Sequence, residues 1–349
     1  MTVAVSGDSI TFNDNSVQAT APKVGMVNRI INGAMVIDQR NAGASVTITN
    51  TSTATYTLDR WQAYGSAASK FSVQQNAGAV TPPAGFKNYL GVTSAAATTV
   101  GSGDQYYVGQ YIEGYNIADM GFGAAGASTA TISFWVRSSL TGTFGGSVAN
   151  SAFNRSYPFT YAISAANTWE QKTVTIAGDT SGTWLATNGI GFQVNFGLGV
   201  GSGLSGTAGA WGSAAYVSAT GATSVVGTSG ATFYITGVQL EKGSTATSFD
   251  YRPYGTELLL AQRYYQFSGN GTSGTVIYGF PANASSNFRI LQVNMPVAMR
   301  TAPTVTYTTG GAGSFSTFYS DTNFFSALSN AGNTTSDNNI YGYKASAEL

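Results

Sequence analysis

Residues 190–200 alternate without a break. Ile190, Phe192, Val194, Phe196, Leu198 and Val200 are apolar, and Gly191, Gln193, Asn195, Gly197 and Gly199 stand between them. A repeat of two puts the first set on one face of a β-strand and the second on the other. One face is greasy, and the other is small or amide-bearing. The same period recurs at Ile132, Phe134 and Val136, at Val174 and Ile176, and at Phe233 and Ile235. Leu291, Val293, Met295 and Val297 form a further run, which Pro296 confines to a sheet edge or a strand end. Helical periodicity is almost absent. Short strands parted by Gly, Asn, Ser and Asp turns predict an all-β chain built on a sandwich.

One segment departs from this pattern. Pro253-Tyr254-Gly255-Thr256 leads into Glu257-Leu258-Leu259-Leu260-Ala261-Gln262-Arg263-Tyr264-Tyr265. Thr256 suits an N-cap, Glu257 suits the positive end of a helix, and Leu260 and Tyr264 fall on one face. A helix of two to three turns is expected there. The chain then divides into an arm over 1–23, a large sandwich over 24–252, and a helix with a smaller C-terminal β domain over 253–349.

Composition narrows the chemistry. Of 349 residues, 9% are charged, against roughly 25% in an average domain. Fifteen basic residues balance fifteen acidic ones, and there is neither cysteine nor histidine. Disulfides, zinc–thiolate sites, cysteine nucleophiles and every Ser–His–Asp triad are excluded. So few cations argue against nucleic acid, whose affinity rests on Lys and Arg at phosphates. Residues 180–240 carry no charge, yet Gly, Ser, Thr and Asn interrupt them too often for a membrane helix. No basic-then-apolar leader opens the sequence, so synthesis in the cytoplasm without a signal peptide is expected. Such a polar, uncharged β-protein suits sugars and assembled shells, and the charge-free stretch is expected at a protein or glycan interface.

Several motifs in order resemble bacteriophage tail-fibre and virion appendage proteins that carry a carbohydrate-binding-module-like jelly roll. They begin with Gly7-Asp8-Ser9-Ile10-Thr11-Phe12, Asn28-Arg29-Ile30-Ile31-Asn32-Gly33 and Leu58-Asp59-Arg60-Trp61. Next come Gln110-Tyr111-Ile112-Glu113-Gly114 and Ser133-Phe134-Trp135-Val136-Arg137-Ser138. The most specific piece is Gly237-Val238-Gln239-Leu240-Glu241-Lys242-Gly243, Phe249-Asp250-Tyr251-Arg252-Pro253-Tyr254 and Gln262-Arg263-Tyr264-Tyr265. Met299-Arg300-Thr301-Ala302-Pro303 and Ala347-Glu348-Leu349 complete the set. The resemblance implies a virion protein, made in the cytoplasm of a bacterial host. It further implies a homotrimer that meets other virion proteins through the arm and a host surface polysaccharide elsewhere. The arm is shorter than in a typical fibre, which leaves a tail fibre, a tail-tip piece or a head-mounted appendage open.

Candidate sites follow. Sugar platforms use Trp and Tyr faces with amides and hydroxyls at the ring edges. Trp184 and Trp211, in Gly-rich polar surroundings, and Tyr106 and Tyr107 are the glycan-binding candidates; for the two tryptophans a subunit interface fits better than a ligand site. Trp61, Trp135 and Trp169 lie in signature strands and are expected in the core. The resemblance also implies a structural calcium, for which Asp38, Asp59 and Glu241 are the candidate ligands; no other cofactor is expected. Asp104 and Glu113, with Asp119 and the neighbouring Tyr111 and Tyr115, could flank a glycosidic bond, but turn and strand-end roles fit them better. Gly201-Ser202-Gly203-Leu204-Ser205-Gly206 matches a dinucleotide fingerprint but lacks the helix start and the acid about 20 residues on. The leading expectation is a non-enzymatic appendage that binds a glycan. The alternatives are a decoration or cement protein and, further off, a capsule depolymerase.

Overall fold

The computed structural model describes residues 26–268, 278–280, 289–310, 315–329 and 338–349, together with the short strands Ala4–Ser6, Ser9–Thr11 and Val17–Gln18. Those three strands form an antiparallel sheet. The rest of the 1–23 arm, and with it the expected attachment role, lies outside the described residues.

The sandwich has twelve strands. They are β1 (Val46–Thr47), β2 (Thr55–Tyr56), β3 (Gln62–Gly65), β4 (Phe71–Gln75), β5 (Leu90–Ser94) and β6 (Gln105–Glu113), followed by β7 (Ala130–Ser138), β8 (Gly142–Ala149), β9 (Ser156–Ile163), β10 (Glu170–Ile176), β11 (Ile190–Val200) and β12 (Thr232–Lys242). The first sheet runs β10-β7-β12-β5-β4-β1 and the second β9-β8-β11-β6-β3-β2, each antiparallel throughout. This is a jelly-roll sandwich, and the all-β reading of the alternating runs holds.

The greasy faces meet between the sheets. Phe192, Val194, Phe196 and Leu198 of β11 are fully buried, as are Ile132, Phe134 and Val136 of β7. Phe134 and Phe196 cross from sheet to sheet with ring centroids 5.0 Å apart, edge to face. Each buried ring contributes about 1.5–3 kcal/mol. The charge-free stretch has a plain cause in this arrangement. Its two ends are β11 and β12, the third strand of each sheet, and both are buried along nearly their whole length. The strands at its two ends are therefore interior, while Gln193, Asn195 and Gly197 of the same stretch lie on the outward side of the second sheet.

Of the tryptophans expected in the core, Trp61 is there, fully buried with its Nε1 donating to Asn32 O at 3.0 Å. Trp135 and Trp169 are only half-buried. Phe134 and Val136 take the inner face of β7, so the period of two sends Trp135 outward. Trp169 lies against Tyr89 with ring centroids 5.5 Å apart.

A helix, α1 (Tyr254–Gln262), follows the sandwich. It starts two residues before the expected cap. Pro253 occupies the N-cap position, Glu257 N donates to Pro253 O at 3.0 Å, and Thr256 sits inside the first turn. Leu260 and Tyr264 do share one face, packed with Ile31, Ile37 and Ala261. Beyond the helix lie a four-stranded sheet (Tyr265–Ser268, Tyr278–Phe280, Thr304–Gly310, Asn338–Ser346) and a three-stranded one (Arg289–Asn294, Phe315–Ser320, Phe324–Ser329). Their own core includes Val293, Met299, Phe325, Ile340 and Tyr343. The strand before Pro296 ends at Asn294 and is an edge of the three-stranded sheet.

Candidate ligand-binding face

The outward face of the second sheet carries the alternate residues of the greasy strands. Register places Gln62 of β3 beside Gly109 of β6, Gly109 beside Asn195 of β11, and Asn195 beside Ser147 of β8. The row beside it holds Tyr64 and Tyr107, stacked with centroids 5.7 Å apart, and Gly197. The row on the other side holds Tyr111, Gln193 and Ala149. No charged side chain stands in these three rows.

The amides form the floor. Gln62, Gln193 and Asn195 are at most 2% exposed, whereas Tyr64 and Tyr111 are half-buried. Gly109 is required beneath them, because a Cβ there would lie 2.8 Å from Asn195 Oδ1 and 2.4 Å from Val194 O. Ser218 closes one side. Its Oγ would be 2.7 Å from a Cβ on Gly197 and 2.5 Å from one on Gly145.

Part of this floor is bonded within the protein. Gln193 Nε2 donates to Asn150 O at 2.7 Å, and Asn195 Nδ2 donates to Ser147 Oγ at 3.4 Å. Gln62 Nε2, Gln193 Oε1, Asn195 Oδ1 and Ser218 Oγ have no protein partner although they are buried. A buried polar atom without a partner costs about 1–3 kcal/mol. The four on this face are two amide acceptors, one amide donor and one hydroxyl, all closed to solvent.

The sequence candidates fare differently. Tyr107 belongs to this face, where burial pushes its phenol well above the ordinary range. Tyr106 does not: it points into the core, 1% exposed and edge-on to Phe71 at 6.4 Å, because it neighbours Tyr107 in a strand of period two. Trp184 and Trp211 are brought together, edge to face at 5.4 Å, but they are not open platforms. Phe122 lies 4.8 Å from Trp184 and 6.0 Å from Trp211, and Tyr157 is 5.2 Å from Trp211. Their Nε1 groups donate to Ser181 O and Ala177 O. The pair is packed against the main core, with Arg155 clamped beside it by Asp179 at 2.7 and 2.6 Å.

The carboxylates are structural. Asp38 accepts from Asn41 N at 3.1 Å and Gly43 N at 2.6 Å. Asp59 accepts from Gln39 N at 2.6 Å and Gln39 Nε2 at 2.7 Å. Glu241 accepts from Thr247 N and Thr247 Oγ1, both at 2.7 Å. Among the described residues no three acidic side chains converge, so the calcium set expected of these three does not form. Protein N–H groups and the Thr247 hydroxyl bond to these carboxylate oxygens. Asp104 and Glu113 stand at opposite ends of β6, about 30 Å apart at ~3.3 Å per residue, whereas glycosidases hold their two carboxylates within about 10 Å. Asp119 pairs with Arg29 at 2.9 Å. The Gly201–Gly206 run packs against the 101–104 turn, where a Cβ on Gly201 would meet Gly101 O at 2.0 Å. Close backbone approach, not phosphate binding, explains that run.

Sequence reasoning missed Gln62, Gln193 and Asn195. The signal was present in the amides of the polar face of 190–200, but the partner strands that complete the floor are distant in the chain.

No protein-family model matches the chain, and no curated protein matches it. Solved structures resemble it weakly. A CBM4 module shares 16% identity over 60% of this chain and 97% of its own, with a TM-score of 0.29. A family 11 carbohydrate-binding module from Clostridium thermocellum shares 10% over 58% and 98%, with a TM-score of 0.30. The enzymatically active domain of bacteriophage CBA120 tailspike protein 4 shares 12% over 62% of this chain but only 21% of that one, with a TM-score of 0.31. The fold and face together define a jelly-roll β-protein with an uncharged, hydrogen-bonding sheet surface. Among the described residues no helix is long and apolar enough to cross a membrane.

Proposed function

We propose that this chain is a bacteriophage virion appendage protein whose second sheet binds a glycan of the host cell surface without cleaving it. The observation that carries the binding half is the uncharged outward side of the second sheet, where the half-buried Tyr64 and Tyr111 flank rows of buried amides. Hydroxyl groups of a saccharide both donate and accept, and the uncharged face suits a neutral chain. The ordered motifs support the virion half, including a homotrimer and cytoplasmic synthesis before assembly.

The test is an array of bacterial surface polysaccharides probed with the purified protein. Retention of at least one polysaccharide by the wild type, and its loss in Asn195→Ala, is expected. Failure to retain any glycan removes the binding half and leaves a decoration or cement role. Cryo-electron microscopy of the particle tests the virion half through the protein's position and copy number. Release of reducing ends from a bound polysaccharide would overturn the non-catalytic reading.

A further inference from the structure

A cavity of about 350 Å³, lined by none of the amide-floor residues, lies where the chain enters the sandwich at Asn28–Gly33 and leaves it at Phe249–Tyr254. The two segments are latched together. Asp250 accepts from Asn28 N at 3.2 Å, and Arg252 donates to Asn28 O and Ile30 O and pairs with Glu257 at 3.2 Å. The most specific motif of the sequence is thus spent on closing the latch with its polar groups. Its aromatic groups are left for the cavity.

Three rings form one wall. Phe86 lies 5.1 Å from Phe249 and 5.4 Å from Tyr251, and Phe249 lies 4.8 Å from Tyr251. The wall is held rigid. Gly237 has φ +60° at a bulge in β12, and a Cβ there would sit 2.5 Å from the Phe86 ring, so that ring lies flush on bare backbone. Tyr251 Oη donates to Gly85 O at 2.9 Å. Tyr251 is nevertheless 57% exposed and Tyr254 62%, so both rings stay open to solvent.

The remaining lining mixes small apolar residues (Gly33, Ala34, Val36) with Asn28 and with two cations, Lys87 and Arg252, that balance two carboxylates, Asp250 and Glu257. Lys87 and Asn88 line the cavity. Lys87 is exposed and makes no ion pair among the described residues, while the basic Arg252 and the acidic Asp250 and Glu257 are consumed by the latch. A rigid aromatic wall beside one free ammonium is complementary to a ring with one apolar face and one anionic substituent.

We propose that this cavity is a second saccharide site that takes an acidic sugar unit, its apolar face on Tyr251, Phe249 and Phe86 and its carboxylate toward Lys87. The proposal shares the glycan reading above but uses none of the same residues. The volume falls at the small end of ligand pockets, which fits a terminal unit or a disaccharide rather than a long chain. Because the wall is already ordered, binding it loses little side-chain freedom.

The experiment titrates full-length protein with glucuronate and with methyl glucoside, followed by ligand-observed NMR. Glucuronate is expected to bind at least about tenfold more tightly, and the preference should shrink as salt rises. Lys87→Gln, at an exposed position, should abolish the preference and leave the fold intact. Tyr251→Ala should weaken both sugars. Equal binding of the two sugars, absence of binding by either, or a preference that survives Lys87→Gln overturns the proposal. Polysaccharide binding that is lost in Asn195→Ala but kept in Lys87→Gln separates failure at this cavity from failure at the amide floor.

Discussion

Arg263 places Nε and Nη2 on the two oxygens of the Glu113 carboxylate, at 2.9 and 2.6 Å. The two residues are 150 positions apart, one at the end of β6 and the other just past α1. Tyr264 Oη adds a third donor to the same carboxylate at 2.6 Å. This joint ties the C-terminal part to the sandwich, together with Arg300, which donates to Asn188 O at 2.9 Å and to Ala347 O at 2.8 Å.

Glu113→Ala should therefore act on stability rather than chemistry. It strands the Arg263 guanidinium and the Tyr264 hydroxyl. The carboxylate is 1% exposed and the Arg side chain 31%, so the loss is expected at about 2–3 kcal/mol, below that of a fully buried pair. A urea titration reads it as a lowered midpoint. An unchanged midpoint would contradict the joint.

The tryptophan pair offers a packing test. Trp184→Ala and Trp211→Ala should each destabilise by about 2–3 kcal/mol, less than the ~3–5 of a fully buried ring. Because the rings touch at 5.4 Å, the double variant should lose less than the sum of the singles. If glycan binding fell while the melting temperature of both variants stayed put, these residues would be a ligand platform after all.

Asp59 sets a pH dependence. Burial raises its carboxyl to about 6, and Arg40 and the Gln39 hydrogen bonds only partly offset this. In the unfolded chain it titrates near 3.9. A raised folded value means that its contribution to stability is fully present below about pH 4 and is lost as pH rises through about 6. Asp59→Asn should remove this slope, so the stability of the variant relative to wild type improves by about 2–3 kcal/mol between pH 4 and pH 7. Denaturation curves at both pH values check it, and a constant difference would refute it.

Gly237→Ala tests the platform under Phe86. The left-handed backbone and the 2.5 Å approach of the ring both oppose a Cβ. A loss of about 1–3 kcal/mol is expected, with altered tyrosine fluorescence from Tyr251. A neutral effect on melting temperature would show that the ring is free to move.

The alternation of 190–200 determined the all-β class, which side chains share a face, and the sandwich they build. The Pro253 and Glu257 region determined a helix, though not its first residue, since Pro253 and not a hydroxyl side chain caps it. A period of two states that Tyr106 and Tyr107 point opposite ways, but not which of them faces the second sheet. It likewise places Trp135 opposite Phe134 without saying which side is covered. The composition implied contacts made by tyrosines and amides; the second sheet carries both, with the amides buried and Tyr64 and Tyr111 half-buried. Its floor, however, is assembled from Gln62, Gln193, Asn195 and Ser218, which meet only when β3, β11 and the 205–219 segment come together. Two carboxylates were the least legible, because their partners lie far along the chain: Glu113 with Arg263, and Asp250 with Asn28. Local pattern sets direction at every residue by the geometry of the strand. Burial and hydrogen-bond partnership are set by whatever the folded chain places opposite, and that only the tertiary structure decided.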